Sequence, residues 1–199
     1  MINKKFVQFD SDNKKVLYTK CNAVEDISSQ YIQNIIREMY TEMHGVGLGL
    51  AANQLGYPYQ IFMIEFDKNK SSRYSLDFDS VDFQVFINPR VTSHSAERVS
   101  FWHGCLSAIG YKRAKLASYK TLEYSAYNEH GELVTGKING LAAVVFQHEF
   151  AHLLGKMYVD FDTEYLDHDV LNDKVESGEI TLYEHCDESV PLIVEDFKI

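Results

Sequence analysis

The stretch Gln147-His148-Glu149-Phe150-Ala151-His152 places two imidazoles four residues apart, with a carboxylate beside the first. On a helix, residues with that spacing lie one turn apart on the same face, so His148 and His152 can bind a single divalent ion. Glu149 stands where its carboxylate can take a proton from water bound to that ion. The competing explanation is a buried helix whose histidines are only hydrogen-bonded. It would leave Glu149 as an unpaired charge in apolar surroundings.

Two imidazoles do not complete a catalytic site, which needs a third protein donor and an open position for water. Three candidates compete. The pattern His-Glu-x-x-His-x-x-Gly-x-x-His fits at Gly155 but would need a histidine where Tyr158 stands. A downstream glutamate is the second option, from Glu164, Glu176 or Glu179. The third is Cys105, within Trp102-His103-Gly104-Cys105-Leu106-Ser107. Gly104 lets the backbone approach another element, and a thiolate beside a metal stays deprotonated at neutral pH. Taken alone, a buried cysteine is more often a small core residue.

The histidines need a rigid carrier. From Gly140 to Leu154 the chain is apolar almost all round, which predicts a helix buried in the domain, with Gly155 as its stop. Ile27, Ile32, Ile35, Ile36, Met39 and Met43 follow helical spacing and predict a helix over Glu25 to Met43. It must end at His44-Gly45-Val46-Gly47-Leu48-Gly49, where three glycines make continued helix costly and shape a loop. Gln60 to Phe66 and Val81 to Val91, the latter interrupted by Asn88-Pro89, read as strands joined by a polar connection over Asp67 to Asp79. Thr121 to Tyr127 and Glu132 to Lys137 flank Asn128-Glu129-His130-Gly131 and predict an antiparallel hairpin. The tail from Asp160 to Ile199 is acidic and weakly periodic, apart from an apolar patch at Val190 to Val194 that can dock on the body.

With 199 residues, 45% hydrophobic and 24% charged, the chain suits one globular domain. Nineteen basic against 29 acidic residues leave a formal charge of -10, which argues against nucleic acid or an anionic membrane as partner. Apolar runs are too short for a membrane-spanning helix, and the polar start of the chain carries no visible export signal. Cys21, Cys105 and Cys186 are odd in number and widely spaced, so reduced thiols and a cytoplasmic setting are expected.

Three segments in chain order resemble the signature motifs of the peptide deformylases: Gly47-Leu48-Gly49-Leu50-Ala51-Ala52-Asn53-Gln54, His103-Gly104-Cys105-Leu106-Ser107 and Gln147-His148-Glu149-Phe150-Ala151-His152. The likeness extends to Leu55-Gly56, to Ile87-Asn88-Pro89 and to the helix before the first motif, and runs from about Val16 to Asp160. It implies an α+β fold: antiparallel β-sheets around a central metal-binding helix, with an N-terminal helix. Residues 1–160 would form the catalytic domain and residues 161–199 an acidic extension packed on it.

By the same resemblance, Cys105, His148 and His152 would bind one divalent ion, Fe(2+) in the cell and Zn(2+) or Ni(2+) after purification. A water in the fourth position would be the nucleophile, with Glu149 as general acid and base. The Gln54 amide and the Leu106 backbone N–H would stabilise the oxyanion. Leu48 and Gly49 would pair with the substrate backbone, and Leu141, Val144 and Val145 would line a methionine pocket. The implied substrate is an N-formylmethionyl peptide or nascent chain. An altered acyl-peptide substrate, peptide binding without catalysis and a His-Glu-x-x-His endopeptidase are the alternatives. Oligomeric state is left open.

Three positions depart from the family pattern. His103 replaces a glutamate, Ala151 replaces an aspartate, and an arginine usually found after the cysteine motif has no clear counterpart in Leu116-Ala117-Ser118-Tyr119-Lys120. Opposite charges lost together suggest an ion-pair network removed as a unit.

Overall fold

The computed structural model describes residues 5–66 and 80–199. The polar connection expected over 67–79 lies outside the described residues. Among the described residues, three α-helices, α1 (Gln30–Met43), α2 (Gly140–Leu153) and α3 (His168–Glu176), accompany nine strands. The strands are β1 (Gly49–Ala51), β2 (Ile61–Phe66), β3 (Val81–His94), β4 (Arg98–His103), β5 (Arg113–Tyr119), β6 (Thr121–Tyr127), β7 (Leu133–Asn139), β8 (Tyr165–Leu166) and β9 (Tyr183–Cys186).

Helix α1 begins at Gln30 rather than Glu25, because the Ser28 and Ser29 hydroxyls donate to Asp26 and turn the chain first. Ser29 then caps the helix by accepting from the Ile32 N–H. Its apolar stripe, Ile32, Ile35, Ile36, Met39 and Met43, packs with Leu50, Ile61, Met63, Val85 and Ile87.

The first sheet has the order β1-β2-β3-β6-β7 and the second β8-β5-β4-β9, and the strand pairs in both are antiparallel. β3 runs through Asn88-Pro89 as a single strand, with its register shifted there and Asn88 at φ 51°. The Asn88 side chain holds this bend by bonding both the N–H and the C=O of Val24. The expected hairpin is β6 and β7.

α2 is wedged between the sheets, against β1, β2, β6 and β7 on one side and β5 on the other. Phe146 meets Phe62 and Phe86 edge-on at 4.9 and 5.3 Å, which seats the helix on the first sheet. The Gln147 amide exchanges two 2.9 Å hydrogen bonds with the backbone of Tyr119, which fixes the helix to β5. Gly155 ends the turn after α2 at φ 72°, where a Cβ would meet the backbone of Tyr18 and Thr19 at under 3 Å.

β4, β5 and the tail elements are not evident from sequence periodicity. β4 is buried at nearly every position, so no alternation marks it. In the tail, β8 pairs with β5 and β9 pairs with β4, so this segment completes the second sheet. Leu192, Ile193 and Val194 are buried, and the chain there bridges to Ala117.

Candidate metal centre

α2 presents His148, Glu149 and His152 from its last two turns, all buried. Cys105 arrives from the turn after β4, and its Sγ lies 3.3 Å from His152 Nε2. One donor atom from each of Cys105, His148 and His152 falls within 4.8 Å of the others. Among the described residues this is the sole such cluster of histidine, cysteine or carboxylate donors, so Glu164, Glu176 and Glu179 are not brought in. Tyr158 is not a donor either, since its hydroxyl donates to the Lys112 carbonyl.

The donor set suits a divalent ion of borderline softness, with two imidazoles, one thiol and a cleft on the open side. Burial disfavours charge on each group. It pushes the Cys105 thiol up to about 12, helped by the Glu149 charge and opposed by hydrogen bonds from Ser107. Burial, with Arg113 adding, takes His148 down to about 4. Burial and neighbouring His148 hold His152 well below its ordinary value. The imidazoles are therefore neutral and ready to ligate, and a cation supplies the field that turns the thiol into a thiolate.

Glu149 is held well above the ordinary carboxylate range by burial. A Cβ on Gly49 would sit 2.6 Å from Glu149 Oε1, so the carboxyl rests against bare backbone of β1. Gln54 accepts the Ala51 N–H through Oε1 at 2.8 Å, which turns its Nε2 toward Cys105 Sγ and Ser107 Oγ at 3.2 and 3.3 Å. The Leu106 carbonyl is taken by Gln8 Nε2. Asn53 Nδ2 donates to the His152 carbonyl at 2.7 Å, tying the first motif to the third.

These groups face a cleft of about 720 Å³ lined by Leu48, Gly49, Gln54, Leu106, Val144 and Val145, among others. Leu141 is absent from its walls. It sits in the first turn of α2, two turns from His148, and is buried in the main core.

Two further residues neighbour the donors: His103, which the sequence offered as a hydrogen-bonding histidine or one able to approach the metal, and Arg113, which sequence reasoning missed. His103, 2% exposed, has its Nδ1 3.1 Å from His148 Nδ1. Arg113 lies across Gly104, where a Cβ would come within 1.6 Å of its guanidinium nitrogen. A cation therefore does stand beside the site, supplied by β5 upstream of the segment expected to carry it. Residues 103 and 151 thus carry no acid, while Arg113 places a cation beside the donors. The bare backbone of Gly104 was the available signal.

The polypeptide deformylase family model matches residues 5–164. The chain belongs to that family. It is 34% identical over 136 residues to a peptide deformylase of Aquifex aeolicus, covering 68% of this chain and 75% of that protein. It is 33% identical over 154 residues to peptide deformylase 1A, chloroplastic/mitochondrial, of Arabidopsis thaliana, covering 73% of this chain but 57% of the plant protein. Among solved structures, peptide deformylase from Ehrlichia chaffeensis in complex with actinonin matches with TM-score 0.68 and 28% identity, over 88% of this chain and 97% of that one. The α+β fold and a single-metal site of Cys-His-His type are thus features of this deformylase family member.

Proposed function

We propose that this protein hydrolyses the N-formyl group from N-formylmethionyl peptides or nascent chains, with one divalent ion held by Cys105, His148 and His152. The observation that carries this reading is the buried Glu149 carboxyl, pressed against Gly49 beside the three donors on the wall of an open cleft.

The ion, when bound, supplies a Lewis acid and lowers the pKa of water at the site. Glu149 takes a proton from the attacking water and delivers it to the departing amine nitrogen. Its raised pKa suits it to hold that proton between the two transfers. Gln54 Nε2 and the Leu106 backbone N–H donate to the oxygen that becomes negative, each contributing about 3 kcal/mol to the rate. β1 is an edge strand, so Leu48 and Gly49 can pair with an extended peptide while Val144 and Val145 wall its first side chain.

A thiolate with two imidazoles accepts Fe(2+), Zn(2+) or Ni(2+), and we assign Fe(2+) to the cell and the other two to purified forms. Three free cysteines support a reducing, cytoplasmic setting. Residues 1–160 form the catalytic domain in this reading, with residues 161–199 as an extension braced against it.

The test is release of formate from formyl-Met-Ala-Ser by protein loaded anaerobically with Fe(2+). Glu149→Gln should abolish release while metal content is retained. Peptide binding without formate would favour a non-catalytic member, a reading drawn from the two replaced acids at 103 and 151.

A further inference from the structure

Among the described residues, the two acids that line the cleft besides Glu149 each have a basic neighbour. Glu65 lies 2.8 Å from His44 Nδ1, Asp167 lies 3.8 Å from Lys112 Nζ, and Glu149 is the buried carboxyl already given a role. Arg113 lines the same cleft. Among the described residues no ion pair and no side-chain hydrogen bond engages its guanidinium. A guanidinium is a permanent cation, and among the described residues no carboxylate pairs with this one. The anion it could share, the Cys105 thiolate, would be taken up by the ion when that is bound.

The position of Arg113 is fixed by β-sheet register. His103 pairs with Ala114, so one step further along, Gly104 faces Arg113. The missing side chain at 104 lets the guanidinium lie on the backbone next to Cys105. The same cleft has apolar wall from Phe101, Val144, Val145 and Tyr158, beside the polar groups His103, Cys105 and His148. A group that fits these surroundings has an apolar stem and an anionic end. Glutamate and methionine share the same two-carbon stem, and only the glutamate carboxylate can form a paired, charge-assisted bond with a guanidinium.

We propose that the cleft accepts, alongside methionine, N-formyl peptides whose first side chain ends in a carboxylate of glutamate length, with Arg113 as the residue that recognises it. This rests on the deformylase reading above and extends its substrate class.

The experiment compares formate release from formyl-Met-Ala-Ser, formyl-Glu-Ala-Ser and formyl-Gln-Ala-Ser by the full chain loaded with Fe(2+). Glutamine matches glutamate in size and removes only the charge. The glutamate peptide should exceed the glutamine peptide in kcat/KM by about tenfold or more, and Arg113→Met should lower that ratio by about 10- to 100-fold. Arg113→Lys should keep most of it. Metal content and melting temperature of each variant separate lost recognition from lost folding. If Arg113→Met does not fold, the wild-type ratio decides alone. Cleavage of the methionine peptide with a glutamate-to-glutamine ratio near one overturns the inference and leaves the deformylase reading standing. No formate from any of the three peptides overturns that reading itself.

Discussion

His103 and His148 stack with their ring planes 8° apart and their Nδ1 atoms 3.1 Å from each other. For both to be neutral, one Nδ1 must donate and the other accept. The arrangement that frees His148 Nε2 for an ion has His148 donating to His103. An imidazole thus occupies a place where a carboxylate would give a stronger acceptor. The expected result is a metal ligand held in the correct tautomer but polarised less.

Replacing His103 therefore tests the centre directly. His103→Leu should weaken metal affinity by about 10- to 100-fold, read by competition with a chromogenic chelator, whereas His103→Gln should retain part of it. Equal affinity in the leucine variant would show that the contact does not orient His148.

Metal-free protein should lose stability as the solution is acidified. His103, His148 and His152 have folded-state pKa values below the ordinary 6.5, with His148 at about 4, so below pH 6.5 the unfolded chain binds more protons. Each such histidine makes stability fall by about 1.4 kcal/mol per pH unit as pH drops toward its folded value. Glu149, raised above 4.5, works in the opposite direction and offsets one of the three between pH 4.5 and its folded value. The net expectation is a urea midpoint that rises with pH from about 4.5 to 6.5. A flat profile there would contradict the burial of these neutral imidazoles.

Gly49→Ala puts a methyl group 2.6 Å from Glu149 Oε1. The carboxyl must swing away, and a shift of about 1 Å in a proton-transfer group should reduce kcat by about 100-fold with metal content unchanged. Undiminished turnover would mean that Glu149 is not confined by β1.

Ala151 is 3% exposed and packs in the main core. Restoring an acid there alone, as Ala151→Asp, should lower stability by about 1–3 kcal/mol or weaken metal binding. An unchanged melting temperature and metal content would show that the site still accommodates the carboxylate.

The sequence carries α1, α2 and the β6–β7 hairpin openly, because periodicity and turn chemistry act over a few residues. The donors were equally legible: His148 and His152 by spacing, and Cys105 by resemblance. Arg113 was hidden because its place beside Gly104 depends on how β4 and β5 pair. Buried on both faces, β4 shows no alternation from which a register can be read. Leu141 was misplaced for a related reason, since helical spacing fixes a face but not how far along the helix the cleft extends.

β9, which lies beyond the stretch matched by the family model, hydrogen-bonds to Arg98–Phe101 of the strand that leads to Cys105. Trimming the chain to its family-like portion would strip that strand of its neighbour and leave a raw edge open to self-association. A version that keeps this brace must therefore run past the stretch matched by the family model, to β9, and precipitation of a shorter one would point to the lost brace before a lost active site.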